Sequence, residues 1–139
     1  MMKKIILVLL AAIVLAACQS KSVAGEPVTV ADGSYKNVSA DELEAMLKDK
    51  DFMFINVHIP FAGNIADTDL SIPYDQISAP VNLSQLPSDK NAEIVLYCRS
   101  GRMSTIAAEK LVSLGYTNIW NLTGGMVEWE QAGYSIENK

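Results

Sequence analysis

The chain has 139 residues, half of them apolar, and a formal net charge of −5. This length predicts a single domain, with room for a tail. Without residues 1–17 the chain keeps nine Lys and Arg against sixteen Asp and Glu, a net charge of −7. Such an acidic chain is unsuited to the phosphate backbone, so nucleic acid is excluded as a partner.

The first 17 residues have the anatomy of a secretory signal. Two lysines, Lys3 and Lys4, precede an unbroken apolar segment of 13 residues from Ile5 to Ala17. A transmembrane helix needs about 20 apolar residues, so a permanent span is the weaker alternative. We therefore predict a signal peptide over residues 1–17 and export from the cytoplasm.

The boundary that follows, Leu15-Ala16-Ala17-Cys18, resembles the lipobox of bacterial lipoproteins, in which the cysteine becomes the lipidated first residue of the mature chain. The resemblance implies a lipid on Cys18 and an extracytoplasmic protein anchored to a bacterial membrane. Gln19, not aspartate, follows the cysteine, which by the same resemblance fits the outer membrane or the cell surface. The alternative is an ordinary signal peptide with a chance cysteine.

Residues 18–35 contain few large aliphatic side chains and show no apolar period. We therefore predict a flexible tether over residues 18–35 and a folded domain over residues 36–139. Residues 59–90 predict only turns and one or two short helices. Elsewhere the predicted elements are a helix over 40–49, strands over 52–57 and 92–97, a helix over 103–114, a strand over 118–120 and a helix over 126–131.

Helical and strand patterns thus alternate along the domain. This alternation predicts an α/β fold, with a mainly parallel central sheet flanked by helices. The helix over 103–114 is expected to bury one apolar face, formed by Met103, Ile106, Ala107, Leu111 and Leu114.

If Cys18 carries lipid, Cys98 is left as a lone thiol at the end of a predicted strand. Backbone N–H groups converge where a strand passes through a tight loop into a helix, and their partial positive charge stabilises a thiolate. Arg99 and Arg102 add positive charge that favours the thiolate and an approaching anion. Gly101 permits the backbone angles that a closed loop needs. The pattern indicates a nucleophile for an anionic substrate; the alternative is an inert core thiol.

The segment Cys98-Arg99-Ser100-Gly101-Arg102-Met103-Ser104 resembles the active-site loop of rhodaneses, sulfurtransferases that carry sulfur as a persulfide on one cysteine. The resemblance covers about residues 36–138 and includes Asn121-Leu122-Thr123-Gly124-Gly125-Met126-Val127-Glu128-Trp129, which is similar to the family's Gly-Gly and tryptophan stretch. It implies that Cys98 accepts sulfane sulfur and that Arg99, Ser100, Gly101, Arg102 and Met103 form the binding loop.

The same resemblance implies a small anionic sulfur donor, such as thiosulfate or a polysulfide, a thiol or cyanide acceptor, and no cofactor. The chain departs from the family after its first strand, where Asn56-Val57-His58 stands in place of Asp-Val-Arg. The charged pair of that pattern is absent here, which leaves the usual polar anchoring of the following loop open. His58 is interpreted as a packing residue, and a general-base role stays open. One histidine and one free cysteine do not make a zinc site.

Other functions are weighed against sulfur transfer. Phosphatases that share this fold need an arginine six residues after the nucleophile, and that position here is Ser104. A non-catalytic lipoprotein that senses or binds sulfide or redox species through the same thiol stays open, as does a purely structural lipoprotein. The intact loop with its charged neighbours favours the enzyme.

Overall fold

The computed structural model describes residues 22–139, so the predicted signal peptide and Cys18 lie outside the described residues. Six strands form one sheet in the order β1-β2-β6-β5-β3-β4. The elements in chain order are β1 (Glu26–Val30), β2 (Gly33–Val38), α1 (Ala40–Leu47), β3 (Met53–Asn56), β4 (Leu70–Ser71), α2 (Pro80–Leu83), β5 (Ile94–Tyr97), α3 (Arg102–Ser113), β6 (Ile119–Leu122) and α4 (Gly125–Gln131).

The sheet is parallel from β2 to β4, and only the edge strand β1 runs antiparallel. All four residues of β5 are buried, as expected for a central strand that is covered on both faces. The predicted α/β fold is confirmed. A capping box opens α1, with Ser39 and Glu42 exchanging side-chain and backbone hydrogen bonds.

The predicted tether over residues 18–35 is wrong from Glu26 onward. β1 and β2 form an antiparallel hairpin, and β2 joins the sheet by pairing with β6. Tyr35 is 5% exposed and packs into the core. Pro27 is tolerated because an edge strand does not need every backbone donor. The folded part of the chain therefore begins near residue 26, and not at residue 36.

Two apolar clusters cover the two faces of the sheet. α3 covers one face, against core residues of the central strands that include Ile55, Leu96 and Ile119. α1 and α4 cover the other face, with Leu43 and Trp129 among the residues they bury. Within residues 22–139, no helix has the length and hydropathy that a bilayer span requires.

The predicted apolar face of α3 is wrong at two positions, since Ile106 is 39% and Leu114 37% exposed. The buried residues of α3 are Ser104, Ala107, Ala108, Leu111 and Val112. Their spacing is that of one helix face. Because that face begins with a serine, a hydroxyl enters the core directly beneath the loop that precedes α3.

Candidate active site

Cys98 lies directly after β5, at the end of the sheet that is formed by the carboxyl ends of the parallel strands. Its side chain is 1% exposed. The Gly101 N–H donates a hydrogen bond to Cys98 Sγ at 3.0 Å. Gly101 has a φ of 107° and is the N-cap of α3, so the chain turns there in a conformation that disfavours any side chain. The loop therefore holds the sulfur against a backbone donor at the start of a helix.

Ser104 is a second hydrogen-bonding partner of the sulfur. Its Oγ lies 3.4 Å from Cys98 Sγ and 3.1 Å from the Gly101 carbonyl oxygen. The side chain is fully buried. Ser104 was not among the predicted binding residues, which end at Met103. Its spacing from Ala107 and Ala108 was the signal that it belongs to the buried face of α3.

The start of α4 holds the cysteine loop from the other side. The Met126 N–H donates to the Cys98 carbonyl oxygen at 2.9 Å, and the Val127 N–H donates to the Arg99 carbonyl oxygen at 3.0 Å. Gly125 has a φ of 57°, and a Cβ there would clash with the Cys98 carbonyl oxygen and lie 2.7 Å from the Arg99 carbonyl carbon. The Gly-Gly pair therefore allows the helix to dock on the backbone of the loop.

The other predicted binding residues surround Cys98 unevenly. Arg99, Ser100 and Arg102 are exposed, whereas Met103 is half-buried and packs against the core under α3. Arg99 also lines a cavity of about 330 Å³, together with Ala62, Met126, Val127, Glu130 and Lys139. Within residues 22–139 neither arginine forms a salt bridge. Both positive charges of the cysteine loop are therefore exposed and uncompensated by ion pairs in this part of the chain.

The loop after β3 keeps polar anchoring in spite of its departure from the family pattern. Asn56 Nδ2 donates to the Gly63 carbonyl oxygen and to Asn64 Oδ1, both at 2.9 Å. Asn56 Oδ1 accepts the His58 N–H at 3.0 Å. The anchoring that the sequence left open is therefore present, because a buried neutral amide holds the loop in place of a charged pair.

His58 stands half-buried within range of the charge on Arg99. Burial, and secondarily the positive charge of Arg99, lowers its pKa from the ordinary value of 6.5. The imidazole is therefore neutral at pH 7. In the described part of the chain, no group of three or more His, Cys, Asp or Glu side chains is arranged to hold a metal ion.

The structure is thus that of an α/β domain with a buried thiol in the loop between a parallel strand and a helix. Residues 39–132 match the family model described as "Rhodanese-like domain", and the chain belongs to this family. Residues 2–19 match the model described as "Prokaryotic membrane lipoprotein lipid attachment site", which includes Cys18.

Similar proteins include named sulfurtransferases. A "Sulfurtransferase" of Allochromatium vinosum is 32% identical, over 71% of this chain and 92% of that protein. A "Putative thiosulfate sulfurtransferase, mitochondrial" of Schizosaccharomyces pombe is 34% identical, over 68% of this chain and 79% of that protein. The crystal structure of a rhodanese-related protein from Thermoplasma volcanium is 28% identical, with a TM-score of 0.61, over 73% of this chain and 97% of that one.

Other similar proteins have a different activity. The tRNA uridine(34) hydroxylase of Erwinia tasmaniensis is 31% identical over 70% of this chain, but the match covers only 28% of that protein. Family membership therefore places the chain in a broadly sulfurtransferase-type group without specifying its reaction.

Proposed function

We propose that the protein is a lipid-anchored sulfurtransferase of the rhodanese type, which moves sulfane sulfur through a persulfide on Cys98. The observation that carries this proposal is the environment of the Cys98 sulfur. It accepts the Gly101 N–H at the start of α3, and its loop carries two exposed arginines without ion-pair partners in residues 22–139. Positive charge and a backbone donor both favour a reactive thiolate.

In the first half-reaction, the Cys98 thiolate attacks the outer sulfur of thiosulfate or a polysulfide. With thiosulfate, a new S–S bond forms and the bond to the sulfonate sulfur breaks, so sulfite leaves with the electron pair. The exposed guanidinium groups of Arg99 and Arg102 attract the anionic donor. The first turn of α3 supplies backbone N–H groups without intrahelical acceptors, and these hold the outer sulfur.

In the second half-reaction, a thiolate or cyanide attacks the outer sulfur of the persulfide. The bond between the two sulfurs breaks, and Cys98 leaves as a thiolate, ready for the next donor. The two steps share one covalent intermediate, so ping-pong kinetics follow. No external oxidant or reductant takes part.

Replacing Cys98 tests this function, and the other cysteine of the chain provides the control. The purified wild type is expected to gain one sulfur, +32 Da, on the peptide that contains Cys98 when it meets thiosulfate or polysulfide, and to release thiocyanate when cyanide follows. Cys98→Ser removes both signals, because a serine hydroxyl forms no persulfide. Cys18→Ser keeps both. Equal behaviour of wild type and Cys98→Ser with each donor would overturn the proposal.

The anchor is part of the same proposal and rests on the match to a lipid attachment site. We expect Cys18 to carry acyl chains and to hold the domain on the extracytoplasmic side of a bacterial membrane. Mass spectrometry of the mature N-terminus, with fractionation of wild type and Cys18→Ser, measures this directly. Recovery of the wild type in the soluble fraction, with an unmodified Cys18, would contradict it.

A further inference from the structure

We propose that Ser104 is a positioning residue whose hydroxyl bonds Cys98 Sγ when that sulfur is an anion and turns to the Gly101 carbonyl when the sulfur carries a second sulfur. The inference rests on the proposed function for its second state only. It assigns a role in the reaction to a residue outside the binding loop that the sequence predicted.

The distances place the hydroxyl between two acceptors. Ser104 Oγ lies 3.4 Å from Cys98 Sγ and 3.1 Å from the Gly101 carbonyl oxygen. That carbonyl oxygen already accepts the Thr105 N–H at 3.1 Å and the Thr105 Oγ1 hydroxyl at 2.8 Å. The two donors of Thr105 keep this oxygen satisfied when the Ser104 hydroxyl leaves it, and the oxygen stays within hydrogen-bond reach when the hydroxyl returns. The Ser104 hydroxyl is therefore free to serve the sulfur without leaving the carbonyl unsatisfied.

Burial makes this hydrogen bond matter. Ser104 is fully buried, and its neighbours on the same face of α3, Ala107 and Ala108, are apolar and equally buried. Burial of a hydroxyl without a hydrogen-bond partner lowers the stability of the fold. A serine on this apolar helix face therefore needs an acceptor for its hydroxyl. With Cys98 only 1% exposed, solvent does not compete effectively for its sulfur.

The charge on Cys98 Sγ changes during the reaction, and the Ser104 hydroxyl changes its acceptor accordingly. When Sγ is a thiolate, Ser104 donates a charge-assisted hydrogen bond to it. In the persulfide the negative charge lies on the outer sulfur, so Sγ is a poor acceptor and the Gly101 oxygen becomes the better one. When the acceptor removes the outer sulfur, the bond to Sγ breaks and Cys98 takes the electron pair. Ser104 stabilises this leaving thiolate.

The expected consequence is an asymmetric effect of Ser104→Ala on the two half-reactions. Loss of a hydrogen bond to a charged group changes an equilibrium by about tenfold or more. We expect release of the persulfide to cyanide to slow by about tenfold, and persulfide formation from thiosulfate to change by less. The persulfide form, detected as the +32 Da adduct, then accumulates during turnover.

A second readout does not require sulfur transfer. The rate of alkylation of Cys98 by iodoacetamide, followed on its peptide at one fixed pH, reports the reactivity of the sulfur. In Ser104→Ala this rate is expected to fall by about tenfold, and Ser104→Thr restores part of the loss. Ser113→Ala is the matched control, because Ser113 also donates to a helix carbonyl, that of Lys110, but lies exposed at the far end of α3.

The outcomes separate the two proposals. An unchanged alkylation rate in Ser104→Ala, or an equal slowing of both half-reactions with a lowered thermal midpoint, overturns the positioning role. A lowered alkylation rate in a protein that never forms the persulfide supports the hydrogen bond to Sγ and refutes both the sulfur-transfer function and the persulfide state of Ser104. A lowered alkylation rate together with slow persulfide release supports the whole inference.

Discussion

At the residue scale, the charge of Arg99 acts on the imidazole of His58 across the loop. Its guanidinium is exposed, while its carbonyl oxygen is held by the Val127 N–H. The backbone of Arg99 is therefore held in place, while its guanidinium stays accessible to an anion in solution. The effect of that charge on His58 provides a way to measure it without any substrate.

Because the chain has a single histidine, NMR titration of its imidazole is unambiguous. We expect His58 to titrate below 6.5, and Arg99→Gln to raise its pKa only part of the way back, because burial is the larger cause. Arg102→Gln is the control and leaves the titration unchanged. A wild-type imidazole that titrates at or above 6.5 would refute the assigned environment.

The same lowered pKa sets a direction for stability against pH. Above 6.5 His58 is neutral in both the folded and the unfolded chain, so its full contribution to stability is present. As pH falls from 6.5 to the lowered folded-state pKa, the unfolded chain binds the proton first and that contribution is lost. His58→Gln is expected to flatten this part of the curve in denaturation experiments at successive pH values.

At this scale, local chemistry in the sequence is enough to predict Cys98 as the nucleophile, because a thiol, two arginines and a glycine stand together in five residues. The mass measurement proposed for its peptide tests that prediction. Ser104 could not be assigned in the same way. Its role depends on which face of α3 is buried, and that face was predicted from apolar residues alone. From sequence alone, a serine near the start of α3 is expected on the exposed face of the helix, and only the packing of the helix shows that it is buried.

At the scale of elements, the docking of α4 on the cysteine loop depends on Gly125. We expect Gly125→Ala to lower the free energy of unfolding by about 2–4 kcal/mol and to impair sulfur transfer, because the added Cβ meets the carbonyl groups of Cys98 and Arg99. The measurement is chemical denaturation at equilibrium, with transfer rates on the same samples.

Gly115→Ala is the control that separates crowding from backbone strain. Gly115 has a φ of 92°, but a Cβ there has no atom within 4 Å. The strain alone costs about 1–2 kcal/mol. If Gly125→Ala and Gly115→Ala lose equal stability and both keep full sulfur transfer, the claim that Gly125 is needed for α4 to dock on the cysteine loop is contradicted.

At the scale of the whole molecule, alternation of patterns was enough to predict the α/β fold and the central strands, because buried strands and capped helices leave clear local signals. The β1–β2 hairpin was missed for the opposite reason. Val28 and Val30 are only half-buried, and Pro27 argues against a strand, so its pattern is weak. The hairpin is held by pairing with β6, a strand more than 80 residues later in the chain, whose register the local sequence does not reveal.

The hairpin also yields a test of where the domain begins. A chain that starts at residue 36 loses all of β1 and the buried Tyr35, and it exposes unpaired backbone at the sheet edge. We expect its unfolding free energy to fall by about 3 kcal/mol or more and the protein to self-associate. A chain that starts at residue 22 is the control. Matching denaturation curves for the two would restore the tether interpretation.

The register of the hairpin also determines where the polypeptide enters the domain. Glu26 pairs with Asn37, which pairs with Asn121, which in turn pairs with Leu96, two residues before Cys98. β1 therefore starts at the same end of the sheet as Cys98, where the parallel strands finish. Three strand spacings, roughly 14 Å, separate the start of β1 from β5. The eight residues from Cys18 to Glu26 reach about 27 Å at most. An acylated Cys18 would thus keep the reactive sulfur within a few nanometres of the lipid headgroups, where it can exchange sulfur with compounds that collect at the bilayer surface.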